Sequence, residues 1–350
     1  MTLPQIMSGV YLTQHGGPEA LQWREDIPVP QPGPRQVLVR VLAAGVNNTD
    51  INTRVGWYSS DVTGATDAVD QDVEAGGWGG ALHFPRIQGG DLCGVVELAG
   101  PQTGFQSGQR VTCPINLPRP RPGHPTGFIA LGSETDGAFA QYCVVEADDL
   151  NDVTASPLSD VEIAAIPCAF GTAENLLTRA GVTSGQRVLI TGASGGVGLA
   201  AVQLAALRGA NVWGVTSPAK AEVVKGQGAV ATFARGAALP ADMFDVVIDI
   251  VGGPAWPGLI LGLKPGGHYA VSGAIAGPIV QADLRDIYLR DITIHGCTHQ
   301  AFELFGRLVE MINAGRIRPL ISKTYPLKDI AQAQVDFQSK AFPGKLVLIP

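Results

Sequence analysis

The rhythm of hydrophobic and polar positions changes near Ser159. Before it, short runs such as QVLVRVLAAGV (Gln36 to Val46), QRVTCP (Gln109 to Pro114) and AFAQYCVVE (Ala138 to Glu146) have strand length, with Pro and Gly punctuating the chain throughout. Residues from about Gly9 to Asp149 are therefore predicted to be β-rich. After it the apolar spacing alternates between helix and strand. A helix is predicted near Val161 to Ala180, then a strand at Arg187 to Ile190 with a helix behind it, a strand NVWGVT (Asn211 to Thr216) and a helix near Ala219 to Gly228. Further strands follow at DVVIDI (Asp245 to Ile250), near His268 to Val271 and at Ile292 to His295. Such alternation predicts a parallel sheet with right-handed crossovers. After Ala301 a helix, FELFGRLVEMINAG, precedes a strand, KLVLIP, that is free to rejoin the first region.

The segment RVLITGASGGVG (Arg187 to Gly198) joins an apolar strand to a glycine-rich turn that opens a helix. Val197, Leu199, Ala200, Val202, Leu204 and Leu207 give that helix a packing face. The context is that of a dinucleotide-phosphate site: Gly192 and Gly195 permit a tight turn and close backbone approach to a pyrophosphate, and Gly198 lets helix and strand touch. Ser194, Gly195, Gly196 and Val197 stand at the helix start, where exposed amides carry partial positive charge.

Composition narrows the partners. The chain has 350 residues, 45% of them hydrophobic, which suits two globular domains. A balance of 24 basic against 31 acidic side chains argues against a nucleic-acid footprint or an anionic membrane surface. The first ten residues show no basic start followed by an apolar run, and no uncharged apolar stretch has membrane-spanning length, so a cytoplasmic location is expected. Five scattered cysteines, Cys93, Cys113, Cys143, Cys168 and Cys297, form no paired spacing and read as reduced thiols.

Six strings in order, GVNNTDINTRVGWY (Gly45 to Tyr58), GGDLCGVV (Gly89 to Val96), DGAFAQY (Asp136 to Tyr142), TGASGGVG, DVVIDIVGG (Asp245 to Gly253) and LKPGGHYAVSGA (Leu263 to Ala274), with the closing pair GRIRPLI and GKLVLIP, resemble the medium-chain dehydrogenase/reductase superfamily. The resemblance runs nearly end to end and is strongest with the zinc-free branch of quinone and enoyl reductases. It implies an α/β fold in which a GroES-like β-rich catalytic domain, residues 1–157 plus 301–350, carries an inserted Rossmann dinucleotide-binding domain, residues 158–300. The active site is expected in the cleft between them, and a homodimer or homotetramer is expected, with the apolar strand Ile292 to Gly296 pairing across a two-fold axis.

Zinc-dependent members need three protein ligands and an open position. Alignment with the family's ligand strings puts Asn47 where a cysteine belongs, Asn48 in place of the histidine beside it and Gly90 where a ligand histidine belongs. Only Cys168 matches, and it reads equally as a small buried apolar side chain; Asp91, Cys168 or His83 could still improvise a site. No zinc is expected. Without a Lewis acid, reduction of an activated C=C requires hydride delivery and stabilisation of an enolate oxygen, whereas alcohol oxidation needs a strong base. In the family's enoyl reductases a tyrosine just past the Asn-containing turn is the proton donor, which the resemblance places at Tyr58, either as donor or as pocket wall. Asn47 would donate to the substrate oxygen or to the nicotinamide ribose, or simply form the turn, and Asp50 would set that turn through side chain to backbone bonds.

At the end of the second strand of the nucleotide domain stand Thr216 and Ser217, followed by Lys220, with no carboxylate to repel a 2′-phosphate, which favours NADPH over NADH. Lys220 reads also as a solvated side chain at a helix start. The resemblance adds Thr172, Val251, Gly252, Ser272, Gly273 and Lys345 as cofactor contacts.

Two inserts depart from the family pattern. Residues 59–84 carry five acidic side chains, no basic one, and Trp78 between glycine pairs. They read as a lid, a mobile loop or surface decoration; as a cover they would discourage polyanionic substrates such as coenzyme A esters, and Trp78 could stack on a flat apolar one. Residues 113–134 are proline-rich, with Arg119 and Arg121, and suit a dimer contact or a cleft rim; His124 within them reads as a surface residue. The expectation is an NADPH-dependent oxidoreductase acting without zinc on a small carbonyl-activated substrate, an enone, enal, enoyl compound or quinone. An alcohol or aldehyde dehydrogenase of the same superfamily and a non-catalytic, crystallin-like NADPH-binding protein are the alternatives.

Overall fold

The computed structural model describes residues 3–59, 62, 64–66, 78 and 82–350. It divides into two compact units, Met1–Val62 with Val69–Gly171 and His299–Pro350, and Thr63–Ala68 with Thr172–Thr298. The first is built on a seven-stranded sheet whose central path runs Cys93–Ala99, Gln36–Gly45, Lys345–Ile349 and Ile321–Pro326, with Tyr142–Glu146 also pairing with Gln36–Gly45. Strand Gln36–Gly45 is nearly continuously apolar because it lies centrally, and Val37, Leu38, Val39, Ala43 and Ala44 are fully buried. The C-terminal strand Lys345–Ile349 inserts beside its end, with Val347 opposite Gly45 and Leu348 opposite Ala44. That register delivers Lys345 to the turn just after Gly45.

The second unit is a six-stranded, all-parallel sheet in the order Ala231–Ala234, Asn211–Thr216, Arg187–Ile190, Phe244–Asp249, Leu263–Val271 and Thr293–Gly296. This is the doubly wound α/β arrangement, with ligand-binding loops at the carboxyl ends of the strands. In the glycine-rich turn Gly192 has φ of 57°, which favours glycine. A Cβ on Gly198 would lie 2.2 Å from the Gly192 carbonyl oxygen, so helix Gly196–Leu207 packs on the turn only without a side chain there.

Several elements differ from the apolar rhythm. The single helix expected near 161–180 is two, Asp160–Ala164 and Pro167–Arg179, because Pro167 cannot continue the first helix's hydrogen bonding and instead starts the second. Strand Ala231–Ala234 is too short and too exposed to announce itself, as is strand Ile321–Pro326. The proline-rich insert contains a short hairpin, Asn116–Pro118 against Phe128–Ala130, and Arg119 forks onto the buried carboxylate of Asp149. His124 is exposed. Most of the acidic insert, and with it the reading of a lid, lies outside the described residues.

Candidate active site

In the first unit, the turn after strand Gln36–Gly45 opens helix Asn48–Val55, and Asn47 is its N-cap. Asp50 reaches back so that its Oδ2 accepts from the Asn47 amide at 2.8 Å, the turn-setting bond expected of an Asx side chain. Both residues are buried. Burial pushes the Asp50 carboxyl up to about 7, with the Asp91 charge adding to the rise, while the Asn47 amide and the Lys345 ammonium pull it down.

Lys345, 3% exposed, extends its ammonium into the same place. It donates to Asp91 Oδ2 at 2.8 Å, to Asn47 Oδ1 at 2.5 Å and to the Val46 carbonyl at 3.1 Å. An ammonium has three donors, so all are engaged within this unit. The cofactor contact expected of Lys345 would require one of these bonds to be given up. Asp91 is completely buried, and its other oxygen accepts from the Cys168 amide at 2.7 Å, at the start of helix Pro167–Arg179. A carboxylate there suits the partial positive charge of a helix N-terminus.

Tyr58, past the C-terminal end of helix Asn48–Val55, shares a 2.9 Å hydrogen bond with Thr49 Oγ1. Desolvation raises its pKa to about 12, against a smaller lowering by the Thr49 and Asn52 hydrogen bonds. Its ring stacks on Trp78 at 6.4 Å with a 14° interplanar angle and meets Trp57 edge-on at 5.6 Å; Trp78 in turn meets Phe128 at 5.5 Å. The Trp78 amide donates to Ser133 Oγ. Trp57 and the protonated phenol of Tyr58 thus follow directly on the helix that Asn47 caps, and Trp78 and Phe128 extend the aromatic wall from other segments.

The positions aligned with zinc ligands do not make zinc's donor set. Asn47 already gives its oxygen to an ammonium, and Gly90 has no side chain and no room for one, since a Cβ there would lie 2.1 Å from Ile115 Cδ1. Asp91 is committed to Lys345 and Cys168, and His83 is exposed. Among the described residues no group of three His, Cys, Asp or Glu side chains is placed to hold a metal ion.

In the second unit the expected cofactor residues converge at the carboxyl edge of the sheet. The turn Gly192–Gly195 follows strand Arg187–Ile190, and the Ala193 amide donates to the Val215 carbonyl. Gly196 and Val197 open the helix, where first-turn amides lack intrahelical acceptors. Ser194 is buried beside them in sequence. Val251 and Gly252 are organised by Asp249, whose Oδ1 accepts from their amides at 2.9 and 3.2 Å and from Thr191 Oγ1 at 2.6 Å, while Tyr269 donates to its Oδ2 at 2.5 Å. The Ser272 amide donates to the Asp249 carbonyl, and Gly273 lies against the Ile250 carbonyl. Thr216 ends strand Asn211–Thr216 with its hydroxyl buried and without a hydrogen-bond partner among the described residues, an orphan that a ribose or phosphate oxygen would satisfy. Ser217 and Lys220 follow it. Thr172 is carried separately, on helix Pro167–Arg179. These groups fit a dinucleotide.

Sequence reasoning missed three parts of this arrangement. Arg235 follows strand Ala231–Ala234, which pairs Thr216 with Ala234, and its charge acts on Lys220. Asp249, with Thr191 and Tyr269, forms a buried network read only as strand. Asp91 as the partner of Lys345 joins positions 254 residues apart, which no local pattern signals.

Residues 33–155 match the family model described as alcohol dehydrogenase GroES-like domain, and 221–348 that described as zinc-binding dehydrogenase. The chain is 28% identical over 366 residues to a quinone oxidoreductase of Mus musculus, covering 99% of this chain and 98% of that one. It is 28% identical over 350 residues to an acryloyl-coenzyme A reductase of Sulfurisphaera tokodaii, covering 95% and 98%. A solved structure of a thermostable alcohol dehydrogenase from Pyrobaculum aerophilum superposes with a TM-score of 0.84 at 32% identity, covering 99% of this chain and all of the other.

Proposed function

From the premise that this chain belongs to the medium-chain dehydrogenase/reductase superfamily, in its quinone and enoyl reductase branch, we propose that it reduces an activated double bond, in an enone, enal, enoyl compound or quinone, with NADPH and without catalytic zinc. It is an oxidoreductase, and the family's chemistry uses a nicotinamide cofactor. The observation that carries the finer reading is the donor set of the first unit, in which an amide braced by a buried ammonium occupies the turn where zinc enzymes carry their ligands, and a protonated phenol, past the far end of the helix that this turn opens, is hydrogen-bonded to Thr49 in the helix's first turn.

When bound, the reduced nicotinamide supplies a hydride to the electron-poor carbon of the substrate, and the displaced electron pair moves onto the carbonyl oxygen. Asn47 Nδ2 donates to that oxygen, the task performed by an oxyanion hole. Tyr58, whose phenol stays protonated at neutral pH, gives the proton that completes the addition, and Thr49 holds the hydroxyl in place. The Trp57, Tyr58, Trp78 and Phe128 rings favour a flat, conjugated substrate. Thr216, Ser217, Lys220 and Arg235 would hold the adenosine ribose, and the two cations would supply positive charge to a 2′-phosphate.

Five buried cysteines, none of them in a disulfide, suit a reducing, cytoplasmic setting. The partly exposed edge strand Thr293–Gly296, with Ile294 exposed, favours self-association as a homodimer or homotetramer.

The purified protein, assayed for metal content and for oxidation of NADPH and NADH with a panel of quinones, enones and primary alcohols, is expected to consume NADPH with a conjugated acceptor. Stoichiometric metal accompanied by alcohol oxidation would establish the dehydrogenase alternative, and tight NADPH binding without turnover the non-catalytic one.

A further inference from the structure

Lys345 is far from Asn47 in sequence, yet it makes its shortest hydrogen bond there, 2.5 Å to Oδ1 against 2.8 Å to Asp91. An ammonium only donates, so the amide of Asn47 must present its oxygen to Lys345 and turn its nitrogen away. Among the described residues that nitrogen reaches only the Gly45 carbonyl, at 3.5 Å, the outer limit for such a bond. The backbone amide of Asn47 is fixed independently by Asp50. The residue is therefore clamped at both ends, with one pair of N–H donors directed by a buried positive charge.

We infer that Lys345 is a positioning residue: its ammonium locks and polarises the Asn47 side chain so that Nδ2 serves as the hydrogen-bond donor to the carbonyl oxygen of a conjugated ligand. The inference rests on the proposed reduction of unsaturated carbonyls, and it assigns Lys345 to the substrate's oxygen where the family resemblance assigned it to the cofactor. Charge-assisted donation from Nζ draws electron density through the amide and strengthens donation from its nitrogen. Asp91 neutralises the ammonium and holds it in register, with its second oxygen tied to the Cys168 amide.

Removing Lys345 alone would strand the buried Asp91 carboxylate and endanger folding. The paired variant Lys345→Met/Asp91→Asn removes both charges and retains an oxygen to accept from the Cys168 amide, and its thermal melt reports that it is folded. The probe is para-dimethylaminocinnamaldehyde, a conjugated enal whose absorption moves to longer wavelength when its carbonyl oxygen is polarised, titrated into the full chain with oxidised cofactor so that no reduction occurs. The unaltered protein is expected to give the shift, and Lys345→Met/Asp91→Asn and Asn47→Ala to lose most of it. In turnover, the paired variant should lose about tenfold in kcat with the Kd for NADPH changed by less than about threefold. A paired variant that keeps the shift, or one that keeps kcat while its NADPH affinity falls about tenfold, overturns the inference. No shift in the unaltered protein overturns it too, whether or not quinones are reduced. A shift without any turnover would instead sink the reductase reading and leave the clamp standing.

Discussion

At the scale of single residues, Tyr58 and Asp50 are ionisable groups displaced in ways that experiments can read. With its pKa raised to about 12, Tyr58 holds its proton through the whole working range, so it does not lose acid character as pH rises toward 9. Tyr58→Phe is expected to lower kcat at least about tenfold while leaving NADPH affinity within about threefold, and an unchanged rate would reject the proton-donor role. Asp50, pushed up to about 7, binds a proton in the folded chain over a range where the unfolded chain has lost it. Between about pH 4 and 7 the folded state therefore holds the extra proton, and stability falls as pH rises through that window. Asp50→Asn keeps an oxygen for the Asn47 amide but removes the titration. Its Tm is expected to change less than that of the unaltered protein between pH 4.5 and 7.5, and equal slopes would show that Asp50 ionises normally.

At the scale of elements, the helix that begins at Gly196 works because nothing separates it from the turn beneath. Gly198→Ala would press a methyl group to 2.2 Å from the Gly192 carbonyl, which is backbone and cannot swing aside. Relief requires the helix start to move away from the turn. A loss of about 1–3 kcal/mol in stability is expected, together with markedly weaker dinucleotide binding by fluorescence titration. Retained affinity would show that the turn has slack the structure does not display. This element was legible because strand, glycine spacing and helix are contiguous. The neighbouring strand Ala231–Ala234 was not, since four half-exposed residues give no usable period, and with it went Arg235. The break at Pro167 was readable in principle, but the apolar spacing ran through it.

For the whole molecule, the parallel sheet ends in an edge strand that keeps Ile294 about half exposed, near in sequence to the exposed Leu284, Tyr288 and Leu289. An open, partly apolar sheet edge is a template for pairing with a second copy. Ile294→Lys is expected to shift the protein from dimer or tetramer toward monomer in light scattering, with NADPH binding retained. An unaltered protein that is already monomeric would remove the proposal. No helix among the described residues is long and apolar enough to cross a membrane.

By itself the sequence determined the family, the two architectural patterns and the dinucleotide turn, because each rests on contacts between residues close in the chain. Apolar period, glycine spacing and a strand-to-helix junction are local quantities, and they fix which elements form. Only the tertiary structure decided what Lys345 does, that Asp91 is its partner, that Gly90 leaves no room beside Ile115, and that Arg235 joins the basic group after the second strand. Those facts depend on which distant segments lie side by side, and the inserted C-terminal strand sets the first two by carrying an ammonium 298 residues along the chain to the side chain of Asn47. A buried charge is legible only once its partners are, and burial is a property of the packed whole.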